Sequence, residues 1–132
     1  MSLRYLLDTN TVSHILKRQP AVLQRLVTVP IHAIGISAIT AGELFYGLSK
    51  RPDATNLHLL VHEFLQRVTI LPWDHAVAQT YGKLRAQLQS NGITLSPLDM
   101  QIAAHAHHIQ AILVSSDQAF QQVPHLATEN WA

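Results

Sequence analysis

Arg4-Tyr5-Leu6-Leu7-Asp8-Thr9-Asn10-Thr11-Val12-Ser13-His14-Ile15-Leu16 decides the fold class. Its first half is a short apolar run that stops at an aspartate. The polar residues that follow are of the kind that cap a helix, so the stretch reads as strand, turn, helix. The same unit recurs. Residues 33–37, Ala-Ile-Gly-Ile-Ser, read as a strand followed by a helix over 38–50. Residues 68–71, Val-Thr-Ile-Leu, are β-branched and closed by Pro72, and lead to a helix over 75–89 that Asp74 caps and Asn91-Gly92 ends. Ser96-Pro97 opens a helix to Ile109, and residues 111–114, Ala-Ile-Leu-Val, form a fourth strand. Two further helices fill connections: 21–27 behind Pro20, and 54–67, where apolar residues fall at 57, 60, 61, 64 and 65. Apolar strands alternating with helices predict a parallel sheet of four to five strands with helices on both faces. The expected architecture is a three-layer α/β domain, one domain over residues 1–132.

Composition narrows the function. A chain of 132 residues suits one hydrophobic core. With 48% hydrophobic and 13% charged residues, disorder is excluded and a partner interface is suggested. No apolar run approaches the ~20 residues of a membrane span, and Met1-Ser2-Leu3-Arg4 leads straight into patterned sequence, so a soluble cytoplasmic protein with no membrane partner is expected. The absence of cysteine excludes disulfides, thiol catalysis and thiolate zinc sites. A formal charge of +1 excludes a polycation that binds nucleic acid by bulk electrostatics.

In open parallel sheets ligands collect beyond the carboxyl ends of the strands. Asp8 ends the first strand and Asp117 lies just past the fourth. Glu43 sits on the helix after the second strand, on a face with Ile39, Tyr46 and two glycines, Gly42 and Gly47, that leave space around a carboxylate. Tyr46 is expected to be a partly buried neighbour of Glu43. Asp99 is in the first turn of its helix, aligned with the small apolar face of Ile102, Ala103 and Ala106. Each has a plainer role open to it: Asp8 as a helix cap, Ser96 to Asp99 as a capping box, Asp117 in an Asx-turn. Asp74 follows a strand too, yet its neighbours offer only capping. If Asp8, Glu43, Asp99 and Asp117 meet, half of the eight acids converge. Like charges ~4 Å apart repel by ~4 kcal/mol per pair at an effective dielectric of about 20. A cation must then sit among them. Oxygen-only ligands select a hard ion, Mg²⁺ or Mn²⁺, which suits hydrolysis of a phosphodiester.

Four ordered segments resemble those of the PIN-domain ribonucleases, and among them the VapC toxins of type II VapBC toxin–antitoxin systems. Tyr5-Leu6-Leu7-Asp8-Thr9-Asn10 is similar to the family's strand and D-T-N. Ile36-Ser37-Ala38-Ile39-Thr40-Ala41-Gly42-Glu43-Leu44-Phe45-Tyr46-Gly47 resembles its I-S-x-x-T-x-x-E-L-x-x-G segment. Ser96-Pro97-Leu98-Asp99-Met100-Gln101-Ile102-Ala103-Ala104-His105-Ala106 looks like its D-x-x-I-A-A-x-A helix, and Val114-Ser115-Ser116-Asp117-Gln118-Ala119-Phe120 like its V-T-x-D-x-x-F turn. The resemblance implies a metal-dependent endoribonuclease with Asp8, Glu43 and Asp99 as an acidic triad and Asp117 as a fourth, outer or second-metal group. It also implies Asn10 as a hydrogen-bonding support, and Ser115 as a hydroxyl where the family usually has Thr. The partners it implies are a structured RNA such as tRNA, a VapB-type antitoxin that inserts a basic side chain into the acidic crevice, and a second copy in a homodimer.

On this reading Asp8 and Asp99, with Glu43 direct or through water, hold Mg²⁺ or Mn²⁺ for in-line attack of water, leaving 5′-phosphate and 3′-hydroxyl ends. Two rivals stand beside it. A haloacid-dehalogenase-like phosphatase wants a second Asp where Asn10 stands and a later Lys, and no Lys follows Lys83. A catalytically silent PIN-like binding module would have no need of intact carboxylates. His58 and His62 precede Glu63 in the order H-x-x-x-H-E, not that of the zinc proteases. Trp73 and Trp131 read as packing residues. Basic residues such as Arg4, Lys17, Arg18, Lys50, Arg51, Lys83 and Arg85 are dispersed along the chain.

Overall fold

Asp8, Ser37, Asp74 and Ser96 each place a side-chain oxygen on a backbone N–H in the first turn of a helix, and these caps set the frame. A computed structural model describes residues 3–132. Met1 and Ser2, read above as leading into the first strand, lie outside the described residues. The elements are β1 (Tyr5–Leu7), α1 (Thr9–Leu16), α2 (Pro20–Leu26), β2 (Ile34–Ser37), α3 (Ala38–Ser49), α4 (Thr55–Arg67), β3 (Thr69–Leu71), α5 (His75–Ser90), α6 (Pro97–Ile109), β4 (Ile112–Val114) and β5 (Thr128–Glu129). Single 3₁₀ turns stand at Ile31–Ala33 and Gln118–Gln122. No helix among the described residues is long and apolar enough to cross a membrane.

All pairings are parallel, in a five-stranded sheet of order β3-β2-β1-β4-β5. The chain steps outward from β1 to β2 and β3, then returns to the other side of β1 with β4 and β5. The reversal falls between β1 and β4, where such sheets open a crevice at their carboxyl ends. Asp8 N–H and the Thr11 hydroxyl both donate to the Val114 carbonyl oxygen, at 3.1 and 3.0 Å, tying the two strand ends there.

The sheet divides two apolar cores. Tyr5, Leu7, Ile34 and Ile36 face one core with Val12, Leu44, Val61 and Trp131. Leu6 and Leu113 face the other with Leu88, Ile102, Ala103, Ala106 and Phe120. Alternation along β1 therefore buries both faces, which is why its sequence is apolar throughout. Tyr5 and Trp131 pack edge to face at 5.4 Å, and Trp73 packs likewise on Tyr81 at 5.6 Å, as packing residues do.

One expectation needs correction. The third strand is not buried as the others are: Thr69 and Ile70 are exposed, because β3 is the sheet edge and pairs with β2 alone. Gly35 lets this edge approach closely, since a Cβ there would lie 3.1 Å from the Thr69 carbonyl oxygen. The fifth strand, within the expected four to five, is residues 128–129, which the sequence pattern does not mark as one; it pairs with Leu113 and Val114.

Candidate active site

Asp8, Glu43 and Asp99, from three separate elements, line one cleft of about 120 Å³, with Thr9, Asn10, Ile102 and Phe120. Each arrives by a local rule. Asp8 is the N-cap of α1 and its Oδ1 accepts from the Thr11 N–H at 2.8 Å. It is only 6% exposed. Glu43 projects from α3, and its Oε1 accepts from the Thr9 hydroxyl at 2.6 Å. Asp99 stands in the first turn of α6, where its N–H donates to Ser96 Oγ at 3.1 Å. The aligned Ile102, Ala103 and Ala106 are buried, so this helix face packs inward and takes Asp99 with it.

The site's electrostatics follow from this convergence. Burial pushes the Asp99 carboxyl above its ordinary range; Ser96 hydrogen bonding opposes the shift, and repulsion from Asp117, Asp8 and Glu43 adds to it. Among the described residues no lysine, arginine or histidine lines the cleft. The two ion pairs among the described residues, Arg25–Glu129 and Arg67–Glu63, lie elsewhere. Nor do any three histidine, aspartate or glutamate side chains among the described residues stand close enough, as placed, to hold an ion. The Thr9 hydroxyl holds Glu43 Oε1 and the Thr11 N–H holds Asp8 Oδ1, which leaves each carboxylate its second oxygen. The donor set, carboxylates without sulfur or imidazole, is of the kind a hard divalent cation takes.

Asp117 does not line the cleft. Its side chain is exposed and accepts from the Ala119 N–H at 2.9 Å, capping the 3₁₀ turn, while its own N–H donates to Ser115 Oγ at 3.0 Å. Ser115 is thus buried support for the turn. Asn10 lines the cleft, but among the described residues no hydrogen bond joins its side chain to an acid. That part is taken by Thr9, which sequence reasoning passed over. The signal was its place directly after Asp8 in the Asp8-Thr9-Asn10 segment. Tyr46 is 65% exposed and not partly buried as expected. It lies one turn beyond Glu43 on α3, past the cleft, where Lys50 Nζ sits 4.7 Å from its ring centre. Asp74 caps α5 through the Val77 N–H and does not line the cleft. The histidines are dispersed: His58 bonds the Arg51 carbonyl oxygen, His108 bonds Thr80, and buried His105 bonds Ser37 Oγ at 2.8 Å.

A five-stranded parallel sheet with three carboxylates gathered in one cleft at its reversal point defines the class, an α/β domain with an acidic site at the carboxyl ends of its strands. Residues 5–126 match the family model of the PIN domain. The chain is 35% identical over 130 residues to ribonuclease VapC2 of Haemophilus influenzae, covering 98% of each. It is 31% identical over 131 residues to the tRNA(fMet)-specific endonuclease VapC of Shigella flexneri, covering 98% of this chain and 99% of that one. Among solved structures, VapBC2 from Rickettsia felis bound to a promoter DNA fragment superposes with a TM-score of 0.90 at 30% identity, over 98% of this chain and 100% of that one. The chain belongs to the PIN-domain family, in its VapC branch.

Proposed function

We propose that this chain is an endoribonuclease toxin that cuts a structured RNA, tRNA being the class its Shigella relative is named for, and is neutralised by a VapB-type antitoxin. The observation that carries the catalytic part is the convergence of Asp8, Glu43 and Asp99 on one cleft whose lining includes no basic side chain. Asp8 and Asp99 would hold Mg²⁺ or Mn²⁺, with Glu43 direct or through water. When bound, the ion neutralises charge at the phosphate and makes water a better nucleophile.

The rest is done by the chain. Thr9 holds the Glu43 carboxylate at one side of the cleft and fixes its direction. The cap hydrogen bond locks Asp8, leaving its second oxygen to the cleft. Ile102 and Phe120 supply the apolar part of the cleft wall. Asp117, outside the lining, serves as an outer group that adds negative potential toward Asp99. The partner reading is supported by an apolar groove of about 290 Å³ between α1, α2 and α4, lined by Ile15, Leu16, Leu23, Leu26 and Phe64. Such a groove fits the apolar face of an antitoxin helix. We place the action in the cytoplasm and the active form as a homodimer.

The test is cleavage of tRNA with Mg²⁺ or Mn²⁺ added or chelated. Metal-dependent cutting to 5′-phosphate ends, lost in Asp99→Asn with its fold intact, is expected. Undiminished cutting in EDTA or in that variant contradicts the reading.

A further inference from the structure

Three surface cavities meet on the edge of the sheet opposite the acidic cleft. One of about 470 Å³ is lined by Arg4, Arg25 and Thr28 among others. A second of about 350 Å³ is lined by His107 and His125, and a third of about 310 Å³ by Thr80, Lys83, His107 and His108. Gln110, the left-handed C-cap of α6 at φ 56°, lines all three, so they run together around it. Sequence position fixes where this is. Arg4 immediately precedes β1, Ala33 precedes β2, Ala111 precedes β4 and Ala127 precedes β5, and each of these residues lines one of the cavities. The trough therefore follows the amino ends of four strands.

Its chemistry is the inverse of the cleft's. No aspartate or glutamate lines any of the three cavities, whereas Arg4, Arg25, Lys83, His107, His108 and His125 do. Arg25 is fixed: it lies 5.7 and 5.4 Å from the Tyr5 and Trp131 ring centres and donates to Tyr5 Oη, Thr28 Oγ1 and Glu129 Oε1, the last offsetting part of its charge. Arg4, Lys83, His108 and His125 are exposed. A chain of net charge +1 thus gathers three of its eight acids in the cleft at one end of the strands and a run of guanidinium, ammonium and imidazole donors at the other.

We propose that this trough is a second RNA contact, which takes the sugar-phosphate backbone away from the cut site. The proposal rests on RNA being the substrate, and it supplies what the cleft lacks, since bare carboxylates repel a polyanion. Guanidinium forks, an ammonium and ring N–H groups suit phosphodiester oxygens and read no base, so the contact anchors RNA without choosing its sequence.

The test is binding of a short fluorescein-labelled RNA in EDTA, read by anisotropy over a range of salt. The wild type is expected to bind, and Arg4→Gln/Lys83→Gln to bind about tenfold or more weakly with a salt slope reduced by about two. Lys50→Gln, outside the trough, should bind as wild type, and matching melting curves show that the exposed substitutions leave the fold intact. Wild-type affinity in the double variant, an equal loss in Lys50→Gln, or no binding by the wild type in EDTA overturns the proposal. So does binding of polyglutamate in preference to RNA, which would make the partner an acidic protein. Binding with no metal-dependent cleavage overturns the catalytic reading alone; cleavage with binding indifferent to Arg4 and Lys83 overturns this one alone.

Discussion

Thr9 shows how much one side chain next to a capping aspartate can do. Its hydroxyl is the group that holds Glu43 in the cleft, at 2.6 Å, across 34 residues of sequence. Thr9→Val keeps the shape and removes the donor, and should lower cleavage about 10–100-fold while leaving the melting temperature nearly unchanged. Thr9→Ser should restore most of the rate. Asp99 makes a prediction of opposite sign for stability. Burial, reinforced by neighbouring acids, raises its folded pKa, so the stability tied to its proton is present at low pH and is lost as pH rises through the folded value. Asp99→Asn should therefore melt higher than wild type at neutral pH without metal, with the gap closing as pH falls through the carboxylate range. It should also fail to gain stability from Mn²⁺. His105 runs the other way: burial lowers its pKa, against a smaller raising effect of Asp74, with a still smaller lowering effect of His108. The folded state keeps it neutral while the unfolded chain protonates near pH 6.5, so stability falls as pH drops below about that value. His105→Asn should flatten this decline in thermal melts, whatever it costs at neutral pH.

At the scale of elements, the caps carry both architecture and chemistry, which is why the two readings of each aspartate could not be separated in the sequence. Asp8 is a cap and also faces the cleft; Asp74 is a cap that does not line the cleft; Asp117 caps a turn outside the cleft lining. The residue types are the same, and what differs is the packing of the face behind them. That difference was legible for Asp99, whose helix carries Ile102, Ala103 and Ala106 on one side. It was not legible for Asp117, because a turn of a few residues has no periodic face to read. Asp8→Asn should separate the two roles: the amide oxygen still accepts from Thr11 N–H, so stability holds within about 0.5 kcal/mol while cleavage is lost. Asp8→Ala should lose cleavage and about 1 kcal/mol besides, by denaturant unfolding.

For the whole molecule, the layered parallel architecture was written in the apolar strands between capped helices, and four of the five strands could be marked within a residue or so. The strand order could not be, nor the two-residue β5, whose pairing depends on backbone meeting β4 and leaves no pattern of its own. The edge exposure of β3 was hidden for a related reason: Ile70 is as β-branched at an edge as in a core, and only the order of strands decides which it is. The same order gathers Asp8, Glu43 and Asp99 at one edge and brings Arg4, Lys83 and His125, dispersed in sequence, to the other. The central claim is that the three carboxylates make one divalent-cation site. Calorimetric titration with Mn²⁺ of the wild type beside Asp8→Asn, Glu43→Gln and Asp99→Asn tests it most directly. The account predicts binding by the wild type and an affinity at least about tenfold weaker in each variant; equal Mn²⁺ affinity in the wild type and all three variants would contradict it.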